Sequence, residues 1–210
     1  MKKISTAIEF LENAFDVLNA RYFESALSKT IITIQDTPNA YGHYTPWESW
    51  QETNGTGYHE INLGAGTLDR PIAAIVATLL HEMTHHYCDS NGIKDTSRNG
   101  HYHNKRFKVE AEKRDLIITY EPSIGWSRTT PSDGLIAFCE EQGWSGIDIK
   151  RLGTGGSGKI KKKPSSTRKY VCPCCGQSVR ATKSVNIICG DCDEQMMCEN
   201  DAQFKPNEAA

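Results

Sequence analysis

The string His81-Glu82-Met83-Thr84-His85 sets two imidazoles four residues apart, with a carboxylate directly after the first. On a helix, residues i and i+4 lie one turn apart on the same face, so both rings can aim at one cation. Glu82 projects about 100° around the axis from His81, beside the ligands rather than among them. A zinc ion held by three protein ligands keeps an open position and lowers the pKa of bound water to about 7. A carboxylate next to that position can take the proton as water attacks a carbonyl and return it to the leaving amine. With 7 histidines and 15 glutamates in 210 residues, composition alone yields roughly 0.02 such strings, so chance is a poor explanation. The competing account is a buried helix whose two histidines are satisfied by hydrogen bonds.

A third ligand has to come from downstream, where His101, His103, Glu110 and Glu112 are the candidates. The metzincin pattern is excluded because Cys88 stands where its glycine would be. His103 is the expected ligand. It falls near the start of a predicted helix, four residues before Phe107, so ring and apolar anchor share a face. His101 lies at or beyond the edge of that helix. His86 points about 100° away from His85 and reads as an outer partner of the site or a partly solvated side chain.

A second constellation lies near the C-terminus. Cys172-Pro173-Cys174-Cys175 and Cys189-Gly190-Asp191-Cys192 place Cys172, Cys175, Cys189 and Cys192 on two CxxC turns, with thirteen residues between them. Four thiolates on two tight turns suit a closed tetrahedral zinc site, which stabilises a module too small for much core. Cys174 has the wrong spacing from Cys175 to join them. Cys88 and Cys139 fall on predicted helices and read as small buried apolar residues.

These residues need supporting elements. An amphipathic helix is expected around Ile8, Leu11, Phe15, Leu18 and Tyr22, and strands at Thr30–Gln35, Tyr41–Tyr44 and Tyr58–Leu63. The HExxH helix should start after Asp69 as N-cap, with Pro71 in its first turn, and end at Asn91-Gly92. Further elements are a helix at Tyr102–Arg114, a strand at Leu116–Tyr120, a loop through Trp126, and a helix at Pro131–Gln142 capped by Ser132. Residues 151–169 read as a basic Gly/Lys-rich linker. Within them, Gly153–Lys159 nearly matches a phosphate-binding loop, but Ile160 replaces the required hydroxyl and no buried strand precedes it. With no secretory signal or membrane span in view, a cytoplasmic location is expected, where eight cysteines are better read as ligands and buried thiols than as disulfides.

Arg70–Tyr87 (RPIAAIVATLLHEMTHHY) and Gly100–Phe107 (GHYHNKRF) resemble the SprT-like metallopeptidases, which include the Spartan DNA–protein crosslink proteases. In that family a histidine in an HGxxF-like or HNxxF-like element is the third zinc ligand, which the resemblance maps onto His103. Gly42-His43-Tyr44-Thr45-Pro46, Trp50 and the strand bearing Glu60-Ile61 are also similar to the family's N-terminal half. A zinc ribbon follows in both, so the resemblance spans roughly Ile4 to Cys192.

The expected architecture is α+β: a small, mainly antiparallel sheet packed on the active-site helix and the N-terminal helix in a zincin-like manner. A metallopeptidase domain at 1–150, the linker at 151–169, a zinc ribbon at 170–198 and a tail at 199–210 make up the chain. The expected function is a zinc endopeptidase acting on protein or peptide substrates, DNA-bound proteins included. His81, His85 and His103 hold one catalytic Zn2+, Glu82 is the general base, and the cysteines hold one structural Zn2+. The Tyr58–Leu63 strand is expected to pair with an extended substrate. The alternative is a non-catalytic adaptor that contacts DNA through the ribbon and basic linker, with both metal sites structural. No membrane partner is expected.

Overall fold

A computed structural model describes residues 3–98, 100–152 and 167–199. The chain divides into two compact units, Met1–Gly153 and Thr154–Ala210. Its class is mixed α+β, with four α-helices and several small sheets among the described residues. The near-phosphate-loop string and most of the linker and tail lie outside the described residues.

In the first unit, α1 (Ile4–Phe23) buries Leu11, Phe15 and Leu18 along one stripe, as its periodicity predicts. Strands β1 (Ile31–Gln35), β2 (Gly42–Gln51) and β3 (Gly57–Gly64) form a sheet of order β1-β3-β2. β3 is parallel to β1 and antiparallel to β2. Ile61 and Leu63 of β3 join Ile75, Leu79, Leu80 and Met83 of α2 (Ile72–Ser90) in one core. Burying each such side chain contributes about 1.5–3 kcal/mol, so α2 is the best-anchored element in this unit. A second sheet of order β4-β5-β7-β6 combines β4 (Thr96–Ser97), β5 (Tyr102–His103), β6 (Leu116–Glu121) and β7 (Gly125–Pro131). Helices α3 (Lys105–Glu112) and α4 (Asp133–Glu141) add Phe107, Ala111, Leu135 and Phe138 to the core.

Several expectations need correction. Two sheets replace the single one, and each includes a parallel pairing, β1 with β3 and β5 with β7. Asp69 does not cap α2; it pairs with Lys150 at 2.5 Å, while Pro71 occupies the N-cap position in an extended conformation. β2 runs through Pro46 to Gln51, well past Tyr44. As an edge strand, it has room for a residue that cannot donate to a ladder. The predicted helix at Tyr102 starts only at Lys105, because Asn104 accepts hydrogen bonds from the Arg106 and Phe107 amides and caps it there. The segment around Trp126 is strand β7, not loop. Ser132 caps the last helix as expected, accepting from the Leu135 amide at 3.2 Å.

In the second unit, β8 (Arg168–Val171) pairs antiparallel with β9 (Ser178–Ala181) and with β10 (Met197–Cys198). Among the described residues its buried cluster is Tyr170, Cys172, Cys189, Met196 and Cys198. That is too little apolar surface to hold three short strands without help.

Candidate metal centres

His81 and His85 leave α2 on its face toward the second sheet, and His103 reaches the same point from β5. Their Nε2 atoms converge: His81 to His85 is 3.2 Å, His81 to His103 is 3.2 Å, and His85 to His103 is 3.0 Å. The outer nitrogens of two rings are held. Nδ1 of His85 lies 2.5 Å from Asp95 Oδ2, and Nδ1 of His81 lies 2.7 Å from Thr129 Oγ1. Thr129 donates its own hydroxyl proton to the Ser127 carbonyl, so its oxygen is free to accept from His81. That network assigns the proton to Nδ1 in both rings and turns bare Nε2 lone pairs toward one another. Three lone pairs so close repel, and a shared cation reverses the sign of the interaction. These three residues could hold a metal ion.

Burial prepares the ligands. Desolvation pushes His81 well below the usual imidazole range and His103 down to about 4, with His85 adding to both shifts. Neutral rings are the ligating form. Phe107, fully buried, forms the floor: its ring lies 4.5 Å from those of His81 and His85 and 4.8 Å from that of His103, centroid to centroid. The helical reason given for choosing His103 therefore fails, since the residue lies on β5, yet Phe107 still supports it. Gly125 sets how closely β7 approaches β5. At φ +75° it adopts a backbone conformation that suits glycine, and a Cβ there would overlap the His103 carbonyl.

Glu82 lies next to His81 on α2 and its carboxylate packs against β2. It is buried, and desolvation pushes its carboxyl up to about 7, while His85 and the Tyr44 backbone N–H pull it down. A Cβ on Gly42 would come within 2.7 Å of the Asn62 carbonyl and 3.2 Å of Glu82 Oε1, so only glycine lets β2 pass this close.

Of the other candidates, His101 is exposed, Glu110 pairs with Arg114 and Lys113, and Glu112 pairs with Lys108. His86 corrects the expectation of a partly solvated side chain. It is 1% exposed, stacks on Tyr44 and faces Ser28 Oγ at 3.2 Å. Burial lowers its pKa to about 4. The sequence reading missed Asp95 and Thr129, and it named Gly42 without its role in bringing β2 close to Glu82. Asp95 had a signal, because ligating histidines usually give their second N–H to a carboxylate and Asp95 is the acid in the loop between the ligands.

In the second unit, the Sγ atoms of Cys172, Cys175, Cys189 and Cys192 all lie within 4.8 Å of one another and could hold a metal ion. Cys175 and Cys189 are 3.7 Å apart. Backbone N–H groups of Cys174 and Cys175 point at Cys172 and lower its thiol to about 7. Cys174 is exposed and outside the group, while Cys88 and Cys139 are buried with thiols raised by desolvation to about 12 and about 11. Among the described residues no helix is long and apolar enough to cross a membrane. No protein-family model matches the chain, and no curated protein or solved structure matches it either.

Proposed function

We propose that the chain is a zinc-dependent endopeptidase of the SprT-like, zincin kind, cleaving protein substrates at the His81–His85–His103 centre. The observation that carries this reading is the convergence of three Nε2 atoms beside a buried glutamate on the same helix. Tetrahedral coordination with zinc–nitrogen bonds of about 2.0–2.1 Å spaces donor atoms roughly 3.3 Å apart, close to the separations found. Zinc–sulfur bonds of about 2.3 Å space thiolates roughly 3.8 Å apart, close to the 3.7 Å between Cys175 and Cys189.

A zinc ion bound by the three histidines would supply a Lewis acid and an acidified water. Glu82 accepts a proton from the attacking water and delivers it to the departing amine. Asp95 and Thr129 hold two rings in the ligating tautomer. Phe107 excludes water from below. The Tyr58–Leu63 strand cannot take the substrate as expected, because β3 is hydrogen-bonded on both sides; of the two edge strands, β1 and β2, it is β2 that packs against Glu82 and is proposed to take an extended chain.

The adaptor alternative requires a closed site, and the histidine group offers three donors among the described residues. Glu82→Gln in the zinc-loaded full chain should lower turnover of a denatured protein substrate about 10³-fold with metal content unchanged. His103→Ala should lower bound zinc from about two per chain to about one. Equal proteolysis by wild type and Glu82→Gln overturns the reading.

A further inference from the structure

Glu82, His86 and Asp89 occupy one stripe of α2, spaced by four and three residues, and all three meet a single residue of β2. The Glu82 carboxylate lies against β2, where a Cβ on Gly42 would come within 3.2 Å of its Oε1, and the Tyr44 backbone N–H favours its charged form. The Tyr44 ring stacks on His86 with centroids 5.3 Å apart and planes 19° apart, and on His59 at 5.5 Å and 28°. Its hydroxyl donates to Asp89 Oδ2 at 2.8 Å and lies 3.0 Å from His59 Nδ1. His59 Nδ1 also approaches the Thr45 carbonyl at 3.1 Å, tying the ring cluster back to β2. Neither His59 nor His86 reaches the three-histidine centre, so this cluster has no part in holding an ion.

We infer that Tyr44 is a positioning residue for Glu82: its side chain locks β2 onto α2 so that its own amide fixes the carboxylate. Resting on Glu82 as general base, the assignment adds how that carboxylate is oriented. A carboxylate on a helix has rotamers pointing along and away from the axis. One N–H donor from a strand anchored through Tyr44 to His86 and Asp89 would select one of them. Gly42, two residues earlier, lets the strand approach closely enough to do so. Because β2 is also one edge of its sheet, the same clamp fixes the strand proposed to meet an extended substrate.

The test uses zinc-loaded full-length wild type, Tyr44→Leu, Tyr44→Phe and Glu82→Ala. Tyr44→Leu should lower kcat about 100-fold, the cost of a misplaced catalytic group, with KM and metal content unchanged. Tyr44→Phe keeps the ring stack and should recover most of that loss. Hydrogen exchange at the residue-44 amide reads the contact without any substrate. It should quicken in Glu82→Ala and Tyr44→Leu and stay near wild type in Tyr44→Phe. Unchanged exchange in Glu82→Ala shows that the amide does not hold the carboxylate and overturns the assignment. So does a kcat for Tyr44→Leu within about twofold of wild type, or a loss that follows loss of metal. An inactive wild type would defeat the peptidase reading, and the exchange result would still decide whether Tyr44 fixes Glu82.

Discussion

The two groups of this chain that could hold a metal ion pose opposite problems. The histidine group is set into a finished core: α2 is buried around most of its circumference, and Phe107 closes the site from below. It offers three donors, with the buried carboxylate of Glu82 on the same helix, packed against β2. The cysteine group offers four donors from two tight turns in a unit whose buried cluster contains three cysteines among five residues. In one unit the fold creates the site. In the other, the site must create the fold. A donor set left one short and buried within a scaffold suits chemistry; a complete set on a scaffold with little core suits structure.

That contrast breaks if both units respond alike to metal loss. The largest expected effect is therefore on folding: Cys189→Ser, or chelation, should abolish amide protection in 167–199 while His81→Ala leaves α1 and α2 protected. Hydrogen exchange resolved by segment checks both. If the cysteine unit stays protected without metal, the comparison fails.

Next in size is the outer support of the histidines. Asp95→Asn keeps the shape but weakens the acceptor for the His85 Nδ1–H, and should reduce metal affinity about 10- to 100-fold. Competition with a chromophoric chelator measures it. An unchanged affinity would mean that Asp95 is only a loop residue.

The smallest effect concerns pH. His86 has its pKa lowered to about 4 in the fold, against an ordinary 6.5. Between those values the unfolded chain binds a proton that the folded chain refuses. Stability from this residue is therefore complete above the ordinary value and lost as pH falls toward about 4. The melting temperature of the metal-stripped chain should drop over that window, and less steeply in His86→Phe, which keeps the stack on Tyr44. Parallel curves for the two proteins would remove His86 from the account.

The sequence made legible those features carried by local spacing. His81 and His85 are four residues apart, and the paired CxxC turns need no tertiary information to be seen. α1 and α2 declare themselves by periodicity. Features that depend on distant partners stayed hidden. β7 begins with Gly125 and carries Ser127, Arg128 and Thr129, a polar run that becomes a strand only because β6 pairs with it. β2 contains Pro46 and alternates poorly, since its outer half is exposed. Asp95 and Thr129 are ordinary loop and strand residues until the fold brings them to His85 and His81. His86 was misjudged because the angle from His85 gave its direction but not what lay there: Tyr44, His59 and Ser28 fill that side.

The third donor differs from the other two in one respect. His81 and His85 share a helix whose backbone cannot yield without disturbing the core, whereas His103 belongs to a two-residue strand that meets β7 only opposite Gly125. An ion leaving this centre would have its cheapest exit by that strand lifting, with the helical pair still gripping. A bound ion would then exchange at a rate set by β5, and stiffening β4, whose Thr96 pairs with His103, should slow that exchange without touching a ligand.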